Sequence, residues 1–238
     1  MDKNYTALLR ESGNDTLSFP LCDLIIEPKP LDGFRNMAAD AELLDHVSRH
    51  GDRSVVRIYG WSEPTLTLGY FQKDASDSVP VHLQQCPQVR RLTGGGAILH
   101  DQEITYSCVI PAGHPVSSNP IRLYELVHYA IIDSLAASGV TAAMRGRLFE
   151  QSGTQSRRQP FLCFQRGDER DVVCRGFKIA GSAQRRRRGT VLQHGSILLR
   201  ASHLTPEVPG LLDLQTGFDV RKFHEELPGS IVSRISRL

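Results

Sequence analysis

The stretch Arg90-Arg91-Leu92-Thr93-Gly94-Gly95-Gly96-Ala97-Ile98-Leu99-His100-Asp101 sets three consecutive glycines between a basic pair and a His-Asp pair. Glycine admits a left-handed backbone and lets another group rest against bare main chain. Three together between strand-like flanks weaken a ladder unless something sits on them. The chemistry such a run serves is close wrapping of a ligand, with arginine and histidine at hand for its polar end. A plain glycine hairpin between strands near 89–92 and 97–99 is the competing reading of the same residues.

A second chemistry-bearing set lies downstream. Cys163-Phe164 precedes Gly176-Phe177-Lys178-Ile179-Ala180-Gly181-Ser182-Ala183-Gln184, and Leu192-Gln193-His194-Gly195-Ser196 follows. The thiolate, not the thiol, is the nucleophile, and a free cysteine of pKa ~8.5 is only a few per cent thiolate at neutral pH. An ammonium beside the sulfur favours the anion. Cys163 and Lys178 fall on separate expected segments, which a hairpin can bring together. Against this stands the ordinary state of a free cysteine, a buried structural thiol.

Taken in order, these segments resemble the family of lipoate–protein ligases and octanoyl/lipoyl transferases, which share a fold with biotin–protein ligases. The family's glycine motif, approximately Arg-Arg-x-Ser/Thr-Gly-Gly-Gly/Arg-Ala-x-x-His-Asp, is matched from Arg90 to Asp101. Its Lys-Ile-x-Gly-Ser-Ala-Gln and Gln-His-Gly-Ser/Thr motifs are matched between Lys178 and Ser196. The likeness runs from about residue 23 to about residue 220, most of the chain. It implies an α+β fold, a mixed, largely antiparallel sheet packed with helices, as a single domain over 1–238 with a catalytic core at about 23–220. It further implies that Cys163 is an acyl-thioester nucleophile activated by Lys178. Arg91, Thr93, Gly94, Gly95, Gly96, His100 and His194 are then the substrate-binding residues. The cysteine-phenylalanine pair ahead of the lysine motif is closest to the octanoyltransferase branch that acylates the glycine-cleavage H protein. That branch moves an octanoyl group from acyl carrier protein to a lysine of a lipoyl-domain protein, with no cofactor and no metal.

The alternative within the family is an ATP-dependent lipoate–protein ligase, and only that reading calls for ATP and Mg. There the residue matching Lys178 contacts the acid and the nucleotide phosphate, and the glycine run wraps the adenylate. Gly96 leans to the ligases, since many transferases carry arginine at this position. Glu103-Ile104-Thr105-Tyr106-Ser107 leans to the transferases, since ligases typically carry Gly-Asn and then Phe-Ser. Phe177 departs from the arginine common before the lysine. The chain also ends soon after the expected core, where many ligases add an accessory domain. An amidotransferase moving lipoyl groups between proteins is a close variant of the transferase reading.

Several elements must position these groups. Residues 36–50 read as a helix with Met37, Ala41, Leu44 and Val47 on one face and Gly51 past its end. Residues 55–59 and 65–69 read as paired strands around Gly60-Trp61-Ser62-Glu63-Pro64. Alternation over 103–110 puts Ile104, Tyr106, Cys108 and Ile110 on one face of a strand. Asn119-Pro120 starts a helix whose broad apolar face is Leu123, Leu126, Val127, Ala130, Ile131 and Leu135, with Gly139 as its stop. Residues 171–174 and 177–184 form an expected hairpin, 190–199 a further strand, and polar 150–160 a mobile loop. Clustered strands with few helices argue for α+β over a doubly wound sheet.

The remaining residues exclude other classes. Leu99 stands where a dinucleotide fingerprint needs its third glycine, and neither a P-loop nor a Gly-x-Ser-x-Gly elbow occurs. His46 and His50 stand four apart without the Glu of His-Glu-x-x-His, so no metal is expected. A net charge of +2 gives no general affinity for nucleic acid. No membrane association is expected from a chain without a run of about eighteen apolar residues. The polar start Met1-Asp2-Lys3-Asn4 reads as no signal peptide. Five cysteines without a Cys-x-x-Cys pair suit reduced thiols in the cytoplasm. Cys108 and Cys174 fall in strands, while Cys22 and Cys86 lie near prolines in expected loops. His100 reads either as a core histidine satisfied by Asp101 or, as its motif position implies, as a group at the acyl or carbonyl end of the site. His194 follows the same logic. Arg185-Arg186-Arg187-Arg188 and Arg157-Arg158 read as solvated loops, with a partner-docking role open.

Overall fold

The computed structural model of the chain describes residues 15–19, 21–72, 79–146 and 160–237. Four helices are present among them: α1 (Gly33–His50), α2 (Pro120–Ala137), the single turn α3 (Leu211–Leu214) and α4 (Val220–Ser236). Eight strands make one sheet, in the spatial order β1 (Asp15–Phe19), β2 (Cys22–Ile26), β3 (Ser54–Tyr59), β7 (Glu103–Ile110), β11 (Thr190–Leu198), β10 (Phe177–Arg187), β9 (Val172–Cys174) and β8 (Ala143–Met144). Every neighbouring pair is antiparallel except β2 and β3. A small second sheet holds β4 (Thr65–Leu68) between β5 (Gln88–Arg90) and β6 (Ile98–His100). The α+β class and the mixed, largely antiparallel sheet are as the sequence leads one to expect.

The sheet is covered on both faces. Ile104, Tyr106, Cys108 and Ile110 of β7 enter a core with Leu123, Val127, Ile131 and Leu135 of α2 and with Phe223, Leu227 and Ile231 of α4. On the other face Val109 and Leu192 meet Leu43, Leu44 and Val47 of α1. A side chain of this size taken fully out of water contributes about 1.5–3 kcal/mol, so the two layers fix the sheet. The Asn119 side chain accepts the Arg122 N–H to cap α2, and Asp32 does the same for α1 with Arg35, so that α1 begins at Gly33, three residues before the expected start. Arg175 and Gly176 have φ of 51° and 86° and turn β9 into β10, the expected hairpin.

Three expectations are corrected. Residues 55–59 and 65–69 do not pair: β3 lies between β2 and β7, so both of its edges are taken, and β4 belongs to the small sheet. The basic run is not a loop, because β10 continues to Arg187 and pairs with β11, leaving only Arg188 and Gly189 to turn. Cys22 is not in a loop either; it opens β2 fully buried, and burial pushes its thiol up to about 12. Residues 147–159, with Arg157 and Arg158 and nearly all of the loop expected at 150–160, lie outside the described residues.

Candidate active site

The glycine run is not a hairpin. β5 and β6 flank β4 on opposite sides, so residues 91–97 cross the C-terminal end of β4. Arg91 holds this crossing from beneath. Its buried guanidinium donates through Nη1 to the carbonyl and hydroxyl oxygens of Thr67, both at 3.1 Å, and through Nη2 to the carbonyls of Gly94 at 2.7 Å and Gly96 at 2.6 Å. Burial pulls its pKa down to about 10, which leaves it cationic at neutral pH. Gly95 has φ of +94°, a conformation that disfavours side chains. At Gly96 an added Cβ would come within 2.7 Å of the Arg166 guanidinium carbon, so that corner of the run is filled by an arginine from another segment.

Cys163 is stitched to the exit of the run. Its N–H donates to the Ala97 carbonyl at 2.7 Å, and the Ala97 N–H to the Phe161 carbonyl at 3.2 Å. Lys178 reaches it from β10. The ammonium nitrogen is 3.8 Å from Cys163 Sγ, 3.3 Å from the Cys163 carbonyl oxygen and 3.0 Å from Asp171 Oδ1. Those three acceptors account for all three of its protons. A β-bulge sets the direction of the side chain. Lys178 pairs with Val173 and Ala180 with Val172, so β10 spends one residue more than β9 there. Ile179 and Ala180 both enter the core, and Lys178 lies over Gly181 on the α1 side. Asp171 accepts the Asp168 N–H at 2.7 Å on its other oxygen, and burial raises its carboxyl pKa while the Lys178 ammonium opposes that rise.

The two histidines are held differently from one another. His100 is stacked on Trp61 with ring centres 3.9 Å apart, its Nδ1 is 2.7 Å from Glu103 Oε1, and its Nε2 is 2.8 Å from the Thr67 hydroxyl. Its carboxylate partner is therefore Glu103, not Asp101, which instead accepts from Ser202 at 2.7 Å. Burial lowers the His100 pKa. His194 spans from Asp40 Oδ2 at 3.2 Å to the Thr93 hydroxyl at 2.6 Å, tying α1 through β11 to the glycine run. Burial works against the Asp40 carboxylate, yet the His194 hydrogen bond and the Arg57 guanidinium 3.1 Å away hold its pKa below the ordinary value.

One pocket, open to solvent, gathers most of these groups. Arg91, Gly94, Gly95, His100, Cys163, Lys178 and His194 line it, whereas Thr93 and Gly96 stand behind its wall. Met37, Tyr59, Trp61 and Phe164 add apolar lining. Asp171, Asp40 and Trp61 escaped the sequence reading; Asp40 and Trp61 act through partners far along the chain and Asp171 through Lys178 across the β9–β10 hairpin, and only Trp61, the single tryptophan, stood out by type.

The chain matches the lipoyl protein ligase A/B catalytic domain over residues 32–230. It belongs to this family. Among its relatives, octanoyltransferase LipM of Geobacillus kaustophilus is 40% identical over 169 residues, 69% of this chain and 60% of that protein. LipM of Staphylococcus epidermidis is 35% identical over 197 residues, 81% of this chain and 67% of that protein. The chain spans about three-fifths to two-thirds of the length of the curated relatives it matches. A bi-partite lipoate protein ligase from Thermoplasma acidophilum shares the fold with a TM-score of 0.60 at 18% identity, covering 89% of this chain and 82% of that one. A lipoate-protein ligase A solved with ATP shares it with a TM-score of 0.58 at 20% identity, covering 87% and 83%.

Proposed function

We propose that this member of the family is an octanoyltransferase of protein lipoylation, acting in the cytoplasm through a thioester on Cys163. The Cys163 thiolate attacks the carbonyl of an octanoyl thioester carried by acyl carrier protein. The new sulfur–carbon bond forms, the bond to the carrier's sulfur breaks, and the carrier leaves as a thiol after taking a proton from solvent. A lysine amine of a lipoyl-domain protein, such as the glycine-cleavage H protein, then attacks the enzyme thioester. An amide forms, one amine proton returns to solvent, and the Cys163 thiolate is released.

The observation that carries this reading is the Lys178 ammonium 3.8 Å from Cys163 Sγ at the wall of a partly apolar cavity. A cation there stabilises the sulfur whenever it bears charge, both as attacking group and as leaving group. Asp171 keeps the ammonium in place. An octanoyl tail of about seven carbons at ~0.8 kcal/mol each supplies at most roughly 5–6 kcal/mol of binding. Relatives named octanoyltransferase at 35–40% identity support the choice of acyl group. Gly96 leaned toward the ATP-dependent ligase; the Arg166 guanidinium beside it restores an arginine to that corner.

Intact mass after mixing with octanoyl-acyl carrier protein, without ATP, tests the reading. A gain of one octanoyl group, lost on adding a lipoyl-domain acceptor, is the expected result. Reaction only with free acid and ATP would replace it with the ligase mechanism.

A further inference from the structure

The cavity has a graded wall. Gly95 at its rim is exposed, and Gly94, Cys163 and Phe164 are half-buried. At the other extreme Met37, Tyr59, Trp61 and Thr105 are 8%, 3%, 8% and 2% exposed. The thiol is thus at the mouth, and the floor belongs to Met37, Tyr59 and Trp61, which pack together with Val89 of β5.

The parts of this floor differ in how far they can yield. The Trp61 indole donates its N–H to Thr105 Oγ1 at 2.8 Å, and that hydroxyl donates onward to Glu103 Oε1 at 2.6 Å. Its face is stacked on His100, whose two ring nitrogens are engaged by Glu103 and Thr67. The Tyr59 hydroxyl donates to Asp40 at 3.0 Å, with the Arg57 guanidinium 4.0 Å from its ring centre. Both rings are therefore fixed on several sides. Met37 is an unbranched thioether on α1 with no polar tie, the adaptable piece of an otherwise rigid floor.

We infer that Trp61 and Met37 set the acyl chain length this site accepts, Trp61 as the fixed stop and Met37 as the residue whose volume decides where the stop falls. The inference rests on the thioester reading, since it places the acyl group's carbonyl at Cys163 and its tail on the floor. The substrate class is a straight, saturated acyl thioester of medium length. Each methylene that finds buried space raises kcat/KM about fourfold, and the rise ends where the tail meets the indole.

The test is Cys163 acylation by a series of small straight-chain acyl thioesters from six to fourteen carbons, followed by intact mass. A plot of log kcat/KM against chain length should rise and then break. Met37→Ala should move the break to longer chains and Met37→Phe to shorter ones. A general loosening of the fold does not move the break in both directions. Trp61→Phe should blur the break, because the anchoring N–H is gone. An unmoved break in both Met37 variants overturns the assignment while leaving the thioester reading intact. If the parent protein forms no adduct on Cys163, the thioester reading fails. Calorimetry of free fatty acids on Cys163→Ala then reads the same break without any chemistry, and a break insensitive to Met37 overturns the floor as well.

Discussion

The two sheets contribute to the site in opposite ways. The eight-stranded sheet supplies side chains, Lys178 and His194, from strands whose ladders are paired on both edges and packed on both faces. The three-stranded sheet supplies backbone: short strands, a glycine crossing and one buried guanidinium that gathers its carbonyls. Reactive groups need fixed directions, which a covered ladder provides. A wall that a ligand can approach closely needs shape without side chains, which tethered glycines provide. Cys163 is on neither sheet; it stands on the segment that bonds to Ala97 of the crossing and receives Lys178 from the ladder.

The largest effect separates two thiols that differ in this respect. Cys163→Ala should reduce acyl transfer to background with an unchanged melting curve, because its half-buried sulfur carries little of the core. Cys108→Ala, fully buried in β7, should do the reverse, costing about 1 kcal/mol of stability with kcat preserved. Retained transfer in the first variant would remove the nucleophile from this site.

Next comes the tether of the small sheet. Arg91→Lys keeps the charge but cannot reach Thr67, Gly94 and Gly96 at once, and hydrogen bonds to a charged group are worth about 1.5–3 kcal/mol. The melting temperature should fall, and KM for the acyl thioester should rise about tenfold, more than kcat changes. A selective loss of kcat would mean that Arg91 meets the reacting carbonyl and not the wall.

The smallest effect belongs to the basic end of β10. Arg185 lies 4.5 Å from the Tyr70 ring centre, Arg186 donates to the Ser117 carbonyl at 2.8 Å, and Arg187 pairs with Asp45 at 2.9 Å. Replacing 185–188 by serine should lower kcat/KM for carrier-bound octanoate by less than about threefold, lessening as salt rises, with no change for a small thioester. Equal loss on both substrates would make the run a structural feature of the strand.

What was legible in the sequence was local. The faces of β7 and α2, the Asn119 cap, and the β9–β10 hairpin follow from periodicity and turn residues a few positions apart. The glycine run announced a close approach, and its ordered companions pointed to Cys163 and Lys178. Sheet membership was not legible: the turn residues between β3 and β4 look like a hairpin, and only the occupancy of β3's edges by β2 and β7 forbids it. Arginines at 185–187 read as loop because charge on a strand is tolerated only where rings, carbonyls and carboxylates from other segments receive it. The roles of Asp40, Asp171 and Glu103 were not legible, since each lies in the histidine or lysine that the fold brings to its carboxylate.

The bulge beside Lys178 carries one more consequence. A strand presents alternate residues to alternate faces, so a single residue counted in or out reverses every side chain beyond it. Between Lys178 and Ala180 the extra residue lies upstream of the long ladder that joins β10 to β11. Deleting Ile179 would leave that ladder in register and make the strand more regular. Lys178 would still pair with Val173 and keep the face of the thiol, and the core would lose one buried side chain; a regular strand of the unchanged sequence would instead turn Lys178 to the face of Ala180. With the sequence unchanged, the irregular strand is the one in which the ammonium and the sulfur meet, so the bulge admits one more apolar residue to the core without turning Lys178 away from Cys163.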